Sequence, residues 1–330
     1  MTGRENGFDA IKGAAIILVV FGHVWLGLGS AGLIGDAQLF RTVEEAIYLF
    51  HMPVFFFVSG LFFMPKPAPV PFLRHKVLTL LWPLLLWSWI EALALLVSGQ
   101  GGDRGVSGLL DVLAYPVPVK SVFWFLWALF VLQIGAYLVQ RLFRAGALVA
   151  MLGLAIASVL FFLLGLNPGI FVTIIENAPY FLAGILMRPI RKELAHPLPL
   201  PFVVGALMLI LSEVVHLKEG IGAPWFQVTA LLAVMGFCGV FARIGNTWAG
   251  GGFAWLGART MPIYLIHIIL TAATRVTLLK LGVTALGPHL VAGVLMGIGV
   301  PLIVDAAVQR LGWGKVAGFG QRPGRATMQN

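Results

Sequence analysis

Ten stretches of predominantly apolar residues, each near the ~20 residues a helix needs to cross the hydrocarbon core of a bilayer, occupy most of this chain. They run over roughly 10–30, 44–64, 77–98, 121–140, 147–166, 171–188, 200–217, 224–242, 260–279 and 288–309. Lipid offers no partner to backbone N–H and C=O groups, so runs of this kind fold as helices. The expectation is an all-α polytopic transmembrane bundle of about ten spans, one domain over 1–310, with a flexible cytoplasmic tail over 311–330. Composition excludes the soluble alternatives. Apolar residues make up 59% and charged residues 11%, too few to clothe a water-facing surface. The net charge of +9 would suggest nucleic acid in a soluble chain, but here the basic residues lie in short loops between apolar spans, and no nucleic-acid partner is expected. The single cysteine, Cys238, sits in an apolar span and reads as packing.

Those loops orient the chain. Arg4, Lys66, Arg74, Lys76, Arg141, Arg144, Arg188, Arg191, Lys192, Arg243, Arg259, Arg310, Lys315, Arg322 and Arg325 fall on one side of a ten-span arrangement. With Lys12 they make sixteen of the twenty-two basic residues, whereas Arg41, Arg104, Lys120, Lys218, Arg275 and Lys280 lie on or near the other side. Positive loops stay in the cytoplasm, so both termini are expected there, as an even span count requires. The expected location is a multi-pass position in a bacterial cytoplasmic membrane.

Ionisable residues inside such helices are costly and mark pathways or sites. In the first span, Lys12 and His23 stand at i and i+11, on one face and about 16 Å apart along the axis; Asp9 shares that face. The second span carries Glu44, Tyr48 and His51 at i, i+4 and i+7, with Pro53 just beyond. Proline withholds a donor and crowds the carbonyl four residues back, so a kink beside His51 is expected, with His51 either lining a cavity or satisfying freed backbone. The ninth span repeats the pattern with Thr260, Tyr264, His267, Thr271 and Arg275. Arg74, His75 and Lys76 cluster where the third span begins, and buried carboxylates such as Glu44, Glu91, Glu176 and Glu213 fall in the opposite half. That gradient suits an anionic donor entering from the cytosol and a neutral polyhydroxyl acceptor from outside.

The opening Asp9-Ala-Ile-Lys12-Gly13-Ala, with His23 following, resembles the start of the acyltransferase 3 family of multi-pass membrane enzymes. Phe50-His51-Met52-Pro53 through Ser59-Gly60 is similar to its second-helix signature. Phe123-Trp124-Phe125-Leu126-Trp127, Pro179-Tyr180-Phe181-Leu182-Ala183-Gly184 and Ile263-Tyr264-Leu265-Ile266-His267 resemble later blocks. The Arg-x-x-x-Arg pair of larger relatives is absent, since Lys76 to Leu80 occupies that frame before Pro83. The resemblance implies acetyl-CoA, or another acyl-CoA, as a co-substrate with its phosphates near Lys12. It also implies a glycan or other hydroxyl acceptor; no permanently bound cofactor or metal is expected.

Acyl transfer to a hydroxyl needs a base for the hydroxyl proton and a donor for the tetrahedral oxyanion. A buried imidazole favours its neutral, proton-accepting form, which makes His23 the candidate base, with His51 as the second catalytic candidate. Asp9 lies about four turns from His23 along the helix, too far to orient it, so the orienting partner is sought among His51, Tyr48 and Tyr264. Arg74 and Lys76 join Lys12 on the donor side. Glu91, Asn177 and His267 complete the supporting set, Asn177 and Ser59 being candidate oxyanion donors. A transporter is the competing class, since kinked helices and buried charges serve there too; the two five-helix halves, however, show no matched pair of interrupted helices.

Overall fold

In the computed structural model, which describes residues 3–65, 67–117, 122–167, 169–191, 199–219, 226–245, 247–248 and 250–320, every regular element among the described residues is helical. In chain order the helices are α1 (Gly3–Ser30), α2 (Ala37–Tyr48), α3 (His51–Leu61), α4 (Pro69–Lys76), α5 (Trp82–Val97), α6 (Leu109–Ala114), α7 (Trp124–Phe143) and α8 (Ala147–Leu163). The series continues with α9 (Val172–Met187), α10 (Pro199–Glu219), α11 (Phe226–Ile244), α12 (Gly250–Gly257), α13 (Thr260–Lys280) and α14 (Leu286–Arg310).

The hub is α1, apolar around most of its circumference. Ala10, Ile11, Ala15 and Val20 are wholly buried, and α1 packs against α2, α3, α11, α12, α13 and α14. A helix apolar all round must be surrounded, and this one is. The outer helices are clad the other way: Val149, Leu152 and Ile156 on α8 and Val203, Leu207 and Ile210 on α10 are about half exposed or more. A rim of aliphatic side chains suits lipid, not water.

Seven helical runs among the described residues are long and apolar enough to cross a membrane. One of the ten expected spans is organised differently from a single rod, and the pair 121–140 and 147–166 keeps its two helices. The stretch 44–64 is broken between α2 and α3 at Leu49–Phe50, because Pro53 has no N–H to give the Leu49 carbonyl. The continuous run Trp124–Leu163 is two helices, α7 and α8, that pack against each other; the chain turns back at Arg144, whose φ of 44° ends α7.

Four features hold the site-bearing helices in place. A Cβ at Gly13 would collide with the Phe253 carbonyl, and one at Gly257 with the Asp9 carbonyl, so α1 and α12 touch backbone to backbone. Gly60 of α3 and Gly184 of α9 are related in the same way, each facing the other helix's carbonyl at Phe181 or Phe57. These small-residue crossings are how membrane helices approach closely. Between α4 and α5, residues Val77–Leu81 widen into a π-helical turn just ahead of Pro83, the Trp82 N–H reaching back to the Val77 carbonyl. After α14 the chain returns to α5: the Trp82 and Trp87 indoles donate to the Val316 and Ala317 carbonyls at 2.8 and 2.9 Å, and Phe319 stacks on Trp87. Two indole N–H groups thus find their acceptors in the first half of the expected tail, and residues 321–330 lie outside the described residues.

Candidate active site

His23 lines a cavity of about 190 Å³ enclosed by α1, the α2–α3 break, α7, α9, α11 and α13. Six sequence-distant segments meet there, which is why its composition is mixed: His51, Tyr48, Thr173, Glu176, Asn177 and Tyr264 are set among Met52, Pro53, Trp124 and Phe226.

His51 opens α3 and spends Nδ1 on the Ile47 carbonyl, 2.7 Å away. The backbone N–H that would reach that carbonyl in an unbroken helix has been displaced by the break, and the imidazole replaces it. A carbonyl only accepts, so Nδ1 carries the proton and Nε2 keeps its lone pair. Thus His51 both satisfies freed backbone and lines the cavity. The Tyr48 ring meets His51 edge-on at 4.6 Å and lies over Gly22, where a Cβ would stand 3.3 Å from it; its buried hydroxyl has no partner in the protein. Asn177 donates Nδ2 to the Thr173 carbonyl at 2.8 Å, leaving its Oδ1 and second amide hydrogen. Tyr264 donates its hydroxyl to the Val122 carbonyl at 2.7 Å, tying α13 to the chain entering α7.

The ring beside His23 is His267, with centroids 5.0 Å apart. His267 is wholly buried. Its Nδ1 lies 3.0 and 2.8 Å from the Ile263 and Tyr264 carbonyls, which fixes the proton on that nitrogen. Nε2 is therefore a lone pair, buried and without a hydrogen-bond partner. Among the three expected orienting residues, Tyr264 is committed to Val122, Tyr48 packs on His51 and His51 lines the cavity; the helix pairing α1–α13 brings His267 beside His23 as well. Sequence periodicity put His267 on a polar stripe but had no means of saying which helix that stripe would face.

The donor-side candidates separate. Lys12 is ion-paired with Asp9 at 2.6 Å, both partly exposed, and neither lines the His23 cavity. Lys76 is half-buried over the Phe72 ring and lines a second cavity of about 340 Å³ with Ser59, Phe62, Phe63, Met64, His75 and Gln133. Arg74 is exposed on α4 and outside that lining. Both cavities share α3 and α7: His51 and Trp124 mark the first, Ser59 and Gln133 the second. Eight residues of α3 make that separation about 12 Å. The remaining candidates stand apart. Glu44 is half-buried on α2 and outside the cavity lining, and Glu91 binds Arg104 at 2.8 Å. Thr173, Glu176 and Tyr180 line the cavity although the sequence reading did not place them in the site; the Glu176-Asn177 pair one turn before Pro179 was the available signal.

The family model described as Acyltransferase domain matches residues 5–307. Nodulation protein NolL of Sinorhizobium fredii is 27% identical over 204 residues, covering 58% of this chain and 51% of that protein. The protein of the same name from Mesorhizobium japonicum is 30% identical over 135 residues, covering 39% of this chain and 34% of its own length. The matched region thus spans about half of the first relative or less. No solved structure matches.

Proposed function

Because the chain belongs to the acyltransferase-domain family, we propose that it is a membrane O-acyltransferase that moves an acetyl or other acyl group from acyl-CoA to a hydroxyl of an envelope glycan or related acceptor. The observation that carries this reading is the pairing of a cavity-lining His23 with the orphaned Nε2 of His267. The buried Nε2 lone pair of His267, on a ring 5.0 Å from that of His23, is available to accept an N–H of the His23 imidazole after a small ring adjustment. His23 is then held with its other nitrogen unprotonated toward the cavity, the arrangement a general base requires.

In the proposed step His23 takes the acceptor's hydroxyl proton as the oxygen attacks the thioester carbonyl. The tetrahedral intermediate collapses with cleavage of the C–S bond, and the proton passes to the departing CoA thiolate. Oxyanion stabilisation falls to donors within reach of the cavity, the Asn177 amide and the Tyr48 hydroxyl. On the donor side, Lys76 and His75 in the second cavity supply cationic and polar contacts for CoA, with Lys12 and Arg74 near that face. The 12 Å between the two cavities, about the reach given by α3, is bridged by the extended pantetheine arm. The charge bias of the loops supports a cytoplasmic position for the Lys76 end and both termini in a bacterial inner membrane.

The test is thermal stability of the detergent-purified protein with increasing acetyl-CoA. A ligand that binds only the folded state stabilises it by about 2.7 kcal/mol at a hundredfold excess over Kd. A rise in midpoint that is weakened in Lys76→Ala supports donor binding at that end; no rise at millimolar acetyl-CoA in a folded sample removes the proposal.

A further inference from the structure

At the end of the bundle opposite Lys76, two guanidinium groups gather above His23. Arg275, near the end of α13, folds back so that its Nη1 rests on Gly27 of α1, where a Cβ would occupy the same space. Gly27 is one turn beyond His23, about 6 Å along the axis. Arg275 is half-buried and, among the described residues, has no hydrogen-bond or ion-pair partner. A guanidinium drawn off a helix end toward the bundle centre, when it could extend to the membrane surface, is held for something other than snorkelling.

The second guanidinium comes from the segment after α5, which is built to present it. Val106 and Tyr115, with Val112 and Ala92, form a small core separate from the main one. The Ser107 and Gly108 backbone N–H groups and the Ser107 hydroxyl all donate to Asp111 Oδ2, at 2.7 to 3.0 Å. The Val106 N–H closes a turn on the Gly101 carbonyl at 2.8 Å, and Gly105 adopts φ +67°. This packed cap holds Arg104 against Glu91 at 2.8 Å, with the Arg104 side chain still 49% exposed. α5, which carries Glu91, packs against α13, which carries Arg275, so both guanidinium groups belong to adjoining parts of this end of the bundle. Of the two cations, Arg104 engages the Glu91 carboxylate, and Arg275 is left without a counter-ion among the described residues.

We propose that Arg275 and Arg104 form an anion-recognition site over the acceptor entrance, so that the acceptor is a sugar carrying a carboxylate or phosphate group. This rests on the acyl-transfer reading for what the bound sugar is there to do, and it replaces the neutral acceptor that the carboxylate gradient suggests. An anion held one turn beyond His23 anchors the acceptor with its hydroxyls directed toward the imidazole; a guanidinium offers the planar fork suited to either anion. The unpaired Arg275 is the primary contact, and Arg104 adds field and a second donor.

The experiment is a thermal-stability titration of the purified full chain with glucuronate, glucose 6-phosphate and neutral glucose, in wild type, Arg275→Gln and Gly27→Ala. Gly27→Ala moves the Arg275 guanidinium while keeping its charge on the protein, so it separates position from charge. Expected is a midpoint rise with one or both anionic sugars and none with glucose, with apparent affinity about tenfold weaker or worse in both variants. The arm that responds identifies carboxylate or phosphate. Equal responses to glucose and the anionic sugars, or an undiminished response in Arg275→Gln, overturn the site. So does stabilisation by phosphatidylglycerol alone that Arg275→Gln abolishes, which makes the pair a lipid headgroup contact. The acetyl-CoA shift, measured on the same samples, is expected to survive in both variants. Its absence in wild type, with the glucuronate response intact, would remove the acyl-transfer reading and leave the anion site standing.

Discussion

The His23 cavity and the Lys76 cavity sit at two levels of the same pair of helices, α3 and α7, and are built on different principles. The first draws on six separate segments, and several polar groups in or beside it are fixed by backbone: His51 to Ile47, Asn177 to Thr173 and Tyr264 to Val122 in its lining, and His267 to two carbonyls next to His23. The second is larger, about 340 against 190 Å³, and is lined by only α3 with its continuation, α4 and one residue of α7. Its cation rests on an aromatic face. Tautomers and rotamers locked by backbone are the mark of a place where atoms must be held to a fraction of an ångström. A looser, cation-bearing chamber suits a ligand gripped by charge.

That contrast breaks if the largest effect falls on the wrong side. His23→Ala is expected to lower acyl transfer by roughly 10²- to 10⁴-fold, the usual contribution of a general base, with the acetyl-CoA-dependent thermal shift retained; retained activity would refute the assignment. Next comes His267. His267→Asn keeps an amide donor for the backbone carbonyls and loses the lone pair toward His23, so kcat should fall by about 10- to 100-fold. His267→Gln, which returns an acceptor near the Nε2 position, should recover part of that loss, whereas a packing role would make the two variants equal. Lys76→Ala is expected to raise KM for acyl-CoA about tenfold with kcat little changed, the signature of lost uniform binding. Smallest is Arg74→Ala: exposed and outside the chamber, it should alter that KM by no more than about twofold, and a larger change would extend the chamber onto the surface of α4.

Much of this was readable before any fold. Apolar run lengths marked the helices, and the i, i+4, i+7 stripes through His51 and His267 picked out the polar faces, because helical periodicity is a local property. The break at Leu49–Phe50 follows from Pro53 by the same local logic. What was not readable depends on which helix lies beside which. His267 reaches His23 only because α13 docks on α1, and no spacing within either helix contains that fact. Lys12 shows what local spacing does carry: its i, i+3 relation to Asp9 already allows the ion pair that the structure shows. Arg104 was invisible for another reason, since its position is set by a loop core of Val106, Val112 and Tyr115, which has no periodicity to detect.

The glycine crossings carry a consequence for motion. Where Gly13 meets Gly257 and Gly60 meets Gly184, main chains touch with no side chain between them to act as a bearing. Such joints do not slide, because a shift of half a turn would drive a neighbouring Cβ into a carbonyl. Two rigid couples result, α1 with α12 and α3 with α9, and the His23 imidazole rides on one while His51 and Asn177 ride on the other. Any opening that admits or releases substrates is therefore expected in elements outside those couples, and labels that report distance changes during turnover should be placed there, with one on each couple as the fixed reference.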